Sequence, residues 1–196
     1  QKAIINLNIA IGKDALFLDA YISRGYAKYM TNDYKGAIED TTKAIEIDSE
    51  DGYAYALRAD AKGNNEDYKG AIKDANQAIG IDTEDDYAYS VRAQAKYYID
   101  DYEGSIKDAT KAIELNPQDA YAYVLRAKTK SYIDDDNGAI FDSTMAIGIE
   151  PEYSEAYFIR GVSKKYLDNL SGACSDWRKA AQLGHEEANE NVKDEC

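Results

Sequence analysis

Apolar residues along this chain fall into short runs spaced for helices, and polar turns separate the runs. Over 34–47, Ile38, Ala44, Ile45 and Ile47 recur at helical rather than alternating intervals. Turns such as Thr31-Asn32-Asp33 and Ile99-Asp100-Asp101 split each pair of runs. Asp33, Asp67, Asp101, Asp135 and Asn169 stand just before the second run of each pair, where a side-chain acceptor caps a helix N-terminus. The pattern therefore predicts helical hairpins, repeated along the chain.

The period is 34 residues, and five separate columns keep it. Ala20-Tyr21, Ala54-Tyr55, Ala88-Tyr89, Ala122-Tyr123 and Ala156-Tyr157 form the first column, with Arg24, Arg58, Arg92, Arg126 and Arg160 behind them. Gly36, Gly70, Gly104, Gly138 and Gly172 make another. The last two are Asp40, Asp74, Asp108, Asp142, Asp176 and Ala44, Ala78, Ala112, Ala146, Ala180. One hairpin cannot bury its apolar face alone; stacking against neighbours does, which makes a quasi-one-dimensional array.

These columns resemble the tetratricopeptide-repeat (TPR) family over nearly the whole chain. The family's register places full repeats at 18–51, 52–85, 86–119, 120–153 and 154–187. Its small residue at the helix crossing falls on Gly25, Ala59, Ala93, Ala127 and Gly161, facing Ala37, Ala71, Ser105, Ala139 and Ala173. Residues 2–13 align with 36–47 and read as the second helix of an incomplete repeat; 186–196 read as a polar capping helix. The resemblance implies an all-α fold, a right-handed α-solenoid of stacked antiparallel helix pairs forming a single array over 1–196. It also implies that ligands lie on the concave face lined by the first helices.

Composition narrows the function. Against 23 basic residues stand 37 acidic ones, a net charge of -14. Nucleic acid, which demands a phosphate-neutralising basic patch, is a poor partner, and an anionic membrane surface is disfavoured for the same reason. No apolar stretch approaches spanning length, so membrane insertion is not expected. One histidine and two cysteines leave no metal set and no catalytic constellation, and nothing calls for a cofactor. The chain opens at Gln1 without a signal-like leader and reads as a mature or trimmed product.

Eighteen tyrosines against three phenylalanines mark many positions where a ring packs and its hydroxyl reaches water. Carried onto the family's concave face, Tyr53, Tyr87 and Tyr121 form one ladder, with Tyr26, Tyr98 and Tyr132 nearby and Asp19, Asp60 and Glu155 among them. These six tyrosines are the candidate partner-binding residues, since tyrosine brings rigid contact area with a polar tip. The Arg and Asp columns, with a Lys one turn after each Arg, read as register-setting ion pairs within a repeat or to the next one. The lysine and asparagine positions with which some family members clamp a C-terminal carboxylate hold Ile22/Tyr26, Ala56/Asp60 and Ser90/Gln94 here, so no such clamp is built.

The expected function is a non-enzymatic scaffold for a neutral to basic protein or peptide. The alternatives are a self-assembling module that covers the apolar edge Ile4, Ile5, Leu7, Ile9 and Ile11, or an accessory domain of a larger protein. Trp177 reads as core filling and His185 as a surface residue. Asp134-Asp135-Asp136-Asn137-Gly138 reads as a solvated turn rather than a calcium loop, because Met145 stands where the bidentate acid should be. Cys174 and Cys196 are a candidate disulfide: antiparallel helices either side of Gly184-His185 bring them to one end. Such a bond leans the chain toward an exported or periplasmic setting.

Overall fold

The computed structural model describes residues 2–196; Gln1, on which the reading of a trimmed start rests, lies outside them. The described residues form twelve helices and no strand. They are α1 (Lys2–Lys13), α2 (Leu18–Tyr29), α3 (Tyr34–Ile47), α4 (Gly52–Asn64), α5 (Tyr68–Ile81) and α6 (Asp86–Tyr98), then α7 (Tyr102–Leu115), α8 (Ala120–Tyr132), α9 (Asp136–Ile149), α10 (Ser154–Tyr166), α11 (Leu170–Gln182) and α12 (Glu186–Glu195). Contacts divide the chain into two compact units, 1–99 and 100–196.

Within the first unit α2 packs on α3, α4 on α5, and each hairpin on the next through α3–α4 and α5–α6. The second unit repeats this scheme through α8–α9 and α10–α11, and α12 closes against α11. First helices also touch one another, α2 on α4 on α6 and α8 on α10. Each unit is thus a solenoid stack of antiparallel helix pairs.

The local reasons for these helices are repeated as faithfully as the helices. The carboxylates of Asp33, Asp67, Asp101 and Asp135 each accept a hydrogen bond from the backbone N–H three residues on, and Asn169 does the same. That partner N–H belongs to the glycine column, and the geometry explains the glycine. A Cβ on Gly70 would lie 2.0 Å from Asp67 Oδ2, and one on Gly104 2.2 Å from Asp101 Oδ2. In this placement of the cap a Cβ would clash with the carboxylate, whereas Asp51 and Asp85 cap over alanines at Ala54 and Ala88.

The core is built from alanine. Ala37, Ala71, Ala139 and Ala173 are fully buried where paired helices cross. Closest approach falls at the two glycines of the opposing column: a Cβ on Gly25 would press on Thr41 Cγ2 at 3.2 Å, and one on Gly161 would sit 2.5 Å from Trp177 Nε1. Trp177 is buried as expected, packed with Ala173, Ala180 and Ala188 under α12. Its volume, where earlier repeats carry Thr41, Ala75 or Ser143, fills the space that Gly161 opens.

Candidate protein-binding face

The charged columns close on themselves within each repeat. Arg24, Arg58, Arg126 and Arg160 each grip the aspartate sixteen residues on through Nε and Nη2, a two-pronged contact at 2.5–2.9 Å. Lys28, Lys62, Lys130 and Lys164 add a second cation to the same carboxylates at 2.7–2.9 Å. The acids are buried, so charge-assisted bonds replace the water they lose. Each arginine also lies over the tyrosine three residues before it, Tyr21, Tyr55, Tyr89, Tyr123 or Tyr157, at 5.2–5.7 Å from the ring centre.

One part of this clamp was not read from the sequence. The remaining prong, Nη1, reaches sixteen residues backward to the preceding second helix: Arg24 to Asn8, Arg58 to Thr42, Arg92 to Asn76, Arg126 to Thr110 and Arg160 to Thr144, at 2.6–3.2 Å. Those five acceptors keep the 34-residue period as an Asn-or-Thr column, which was the available signal. Each arginine therefore ties its own hairpin to the one before.

With these cations committed, tyrosines and scattered acids are prominent among the polar groups left on the first helices. In the first unit Tyr26 on α2 and Tyr53 on α4 are exposed, while Tyr87 on α6 is half-buried. The rings of Tyr53 and Tyr87 lie 6.3 Å apart, tilted by 36°. Tyr26 lies near enough to help, after burial, to push the Tyr53 hydroxyl above its usual range.

Beneath them is Asp60, only 8% exposed. Its Oδ2 accepts from the Tyr87 hydroxyl at 2.7 Å and its Oδ1 from the Asn64 amide at 2.8 Å. Asn64 also donates to the Tyr29 hydroxyl at 3.3 Å. Burial pushes the Asp60 carboxyl above the usual range, against the pull of Tyr87, Tyr29 and Asn64. Burial and the nearby Asp60 charge push the Tyr87 and Tyr29 hydroxyls up as well. The sequence placed Asp60 on this face but not in this network; an acid with an amide one helical turn later was the clue.

The six candidate tyrosines divide by position. Tyr87 bonds Asp60, Tyr53 lies beside Tyr87, and Tyr26 lies near Tyr53. Tyr98 stands on the last residue of α6, eleven after Tyr87, a separation of about 16 Å along the helix. There it stacks on Tyr68 at 4.8 Å and 15°. The second unit repeats the division, with exposed Tyr121 in the first turn of α8 and exposed Tyr132 on its last residue, 4.8 Å from Tyr102. The last residues of α6 and α8 thus carry tyrosines paired with rings of second helices, Tyr68 stacked and Tyr102 tilted by 40°.

The second unit fills the Asp60–Tyr87 positions differently. Lys128 and Glu155, equivalent in register, pair at 3.2 Å. His185, expected at the surface, joins them: its side chain is largely buried, stacked on Phe158 at 4.2 Å, with Nε2 2.9 Å from Glu155 Oε2. Its Nδ1 accepts from the Ala188 N–H at 3.4 Å, capping α12. A histidine directly before a helix start was the overlooked capping signal. Burial raises the Glu155 carboxyl, but the combined effect of Lys128 and His185 brings it below its usual range. At the other end of α11, the structure joins Cys174 and Cys196, with Cα atoms 5.7 Å apart.

A tetratricopeptide-repeat family model matches residues 52–85 and 87–119. The chain carries tetratricopeptide repeats. The TPR protein YrrB, which has an unusual peptide-binding site, shares the fold over 95% of this chain and 97% of its own, with 20% identity and a TM-score of 0.68. A tetratricopeptide repeat protein from Parabacteroides merdae matches 98% of this chain and 76% of its own at 18% identity and a TM-score of 0.77. The APC/C hetero-tetramer Cut9–Hcn1 matches 98% of this chain at 11% identity and a TM-score of 0.91; the match spans 39% of that protein. At such identities the likeness shows the fold alone. No curated protein matches the chain in sequence. No described helix is long and apolar enough to cross a membrane, and the described residues hold no acid, cysteine or histidine cluster fit for a metal.

Proposed function

We propose that this chain is a non-enzymatic scaffold that binds an extended or helical protein segment, neutral to basic, along the tyrosine-bearing face of its first helices. The observation that carries this reading is the run of exposed Tyr26 and Tyr53 beside Tyr87, which bonds a buried acid, on helices whose arginines are occupied by internal clamps. Exposed tyrosines of this kind anchor interfaces because they bury much area and lose little freedom. A net charge of -14 steers a basic segment toward the surface. The peptide-binding site of YrrB, on a similar fold, favours the same class of ligand.

Peptide-array binding followed by titration tests the proposal. Replacing Tyr26 and Tyr53 together by Ala should weaken the best peptide by about thirtyfold, equivalent to about 2 kcal/mol, with the helical spectrum unchanged. If Lys73→Glu on the exposed face of α5 weakens binding more than the tyrosine pair does, the first-helix face is the wrong surface.

A second reading, self-assembly through α1, is favoured by one observation. Ile4, Leu7 and Ile11 are half-buried, whereas Ile5 and Ile9 are exposed and no residue of α1 is buried. Light scattering decides it: a monomer at high concentration removes this reading. The Cys174–Cys196 bond supports a lean toward an oxidising, exported or periplasmic compartment.

A further inference from the structure

The chain shows repeatedly how it accommodates a buried aspartate. At Asp40, Asp74, Asp142 and Asp176 a guanidinium forks onto the carboxylate and lies against a tyrosine ring. Asp60 is buried to a similar degree and is bonded by Tyr87, with the Tyr53 ring beside it, yet among the described residues no cation pairs with it. Its partners are the hydroxyls of Tyr87 and Tyr29 and the Asn64 amide, all neutral. A carboxylate offers about four acceptor positions, so these three bonds leave it unsaturated. A buried acid held only by neutral donors carries a desolvation cost that a cation would relieve.

We propose that Asp60, with Tyr26, Tyr53 and Tyr87, is a socket for an arginine side chain of the bound partner. This rests on the peptide-binding reading above and specifies its ligand. The incoming guanidinium reproduces the internal clamp: its fork meets Asp60, and its plane lies against Tyr53, whose ring is already tilted toward Tyr87 at 6.3 Å. Arginine fits better than lysine because a planar, weakly hydrated fork can stack and bond bidentately, whereas an ammonium is a strongly hydrated point charge. Tyr26 and Tyr53 are exposed and form the mouth; Tyr87 and Asn64 hold the carboxylate at its floor. The equivalent place in the second unit already holds an ion pair, Lys128–Glu155, so this position in the stack accommodates opposite charges.

The test uses the full chain with ring-labelled tyrosine, titrated in an NMR tube with the tripeptide acetyl-Gly-Arg-Gly-amide. The same peptide carrying citrulline, the neutral analogue of arginine, is the control. The expected result is saturable shifts of the Tyr26 and Tyr53 rings with the arginine peptide, and binding at least about tenfold weaker with citrulline. Asp60→Asn should remove that preference and leave the citrulline titration unchanged. Should Asp60→Asn not fold, Tyr53→Leu, which keeps the carboxylate, must weaken the arginine peptide by about tenfold. Equal binding of the two peptides, an unaffected variant, or no ring shifts overturns the socket. If longer arrayed peptides still need Tyr26 and Tyr53 but show no enrichment of arginine, the socket falls while the peptide-binding face stands. If no arrayed peptide binds, both fall.

Discussion

Removing one carboxylate from a repeat clamp tests whether the charged columns are structural. Asp142 is the cleanest choice, because its side chain is fully buried and two cations converge on it: Arg126 at 2.7 and 2.9 Å and Lys130 at 2.9 Å. Asp142→Ala leaves both cations facing a small apolar hole. Breaking a buried pair by removing one partner costs about 3–5 kcal/mol. The low end applies here, since the side chains of Arg126 and Lys130 retain 13% and 19% of their exposure. Arg126 also keeps Thr110 Oγ1 and the Tyr123 ring. A loss of about 3 kcal/mol in a chain of this length lowers the melting temperature by roughly 6–12 °C. Thermal unfolding followed by circular dichroism measures it, and hydrogen exchange should place the weakening in α8 and α9, because a repeat stack need not unfold in one step. Replacing both partners, Asp142→Leu with Arg126→Met, should recover part of the loss, as apolar substitutes for buried pairs often do. A drop below about 2 °C for Asp142→Ala would refute the structural assignment.

Three further outcomes follow from single contacts. Gly70→Ala should destabilise by about 1 kcal/mol because its Cβ displaces the Asp67 cap, whereas Gly80→Ala, with nothing within 4 Å, should stabilise by about 0.5–1 kcal/mol; equal responses in urea unfolding would discredit the steric account of the glycine column. Because burial holds the folded Asp60 carboxyl above the usual carboxylate range, its contribution is fully present below the unfolded pKa and is lost as pH rises through the folded one. Asp60→Asn, facing only Tyr29, Tyr53, Tyr87 and Asn64, should therefore gain on the parent as pH rises toward neutrality, and a melting-temperature gap independent of pH would contradict this. Reducing the Cys174–Cys196 bond, which spans 22 residues, should cost the cap about 3 kcal/mol and loosen α12 first in hydrogen exchange; two free thiols in denatured, unreduced protein from its native compartment would remove both the bond and the compartment assignment.

The repeat hairpins were legible because their causes are local. Capping aspartates, the glycine beneath each cap and the small residues at each crossing act within one hairpin and recur every 34 residues, so a single sequence displays each rule several times. Less was legible where a contact depends on three dimensions. The backward reach of Arg58 to Thr42 needs the stacking distance between hairpins, and nothing in either residue alone specifies it. Tyr98 and Tyr132 read as neighbours of the Tyr53, Tyr87 and Tyr121 ladder because all of them sit on first helices; the positions along each helix separate Tyr87 from Tyr98 and Tyr121 from Tyr132. His185 was misread for a similar reason, since its burial depends on Phe158 and Glu155, thirty residues away or nearly so.

The columns that repeat and those that vary do different physical work. Where the residue is constant, as in Arg24 through Arg160, its polar groups are already engaged inside the stack and offer little to a ligand. A ligand must instead be read by positions that face the same way but change identity. The position of Asp60 is such a column: it runs Tyr26, Asp60, Gln94, Lys128 and Val162, through aromatic, acidic, amide, basic and apolar chemistry. Stack geometry imposes no single residue there, so each choice is free to answer to something else. At Lys128 the answer is internal, an ion pair with Glu155 that His185 extends. At Asp60 the internal partners are neutral and the charge remains unmatched, which is why the specificity of this scaffold is sought in the first unit and at that carboxylate.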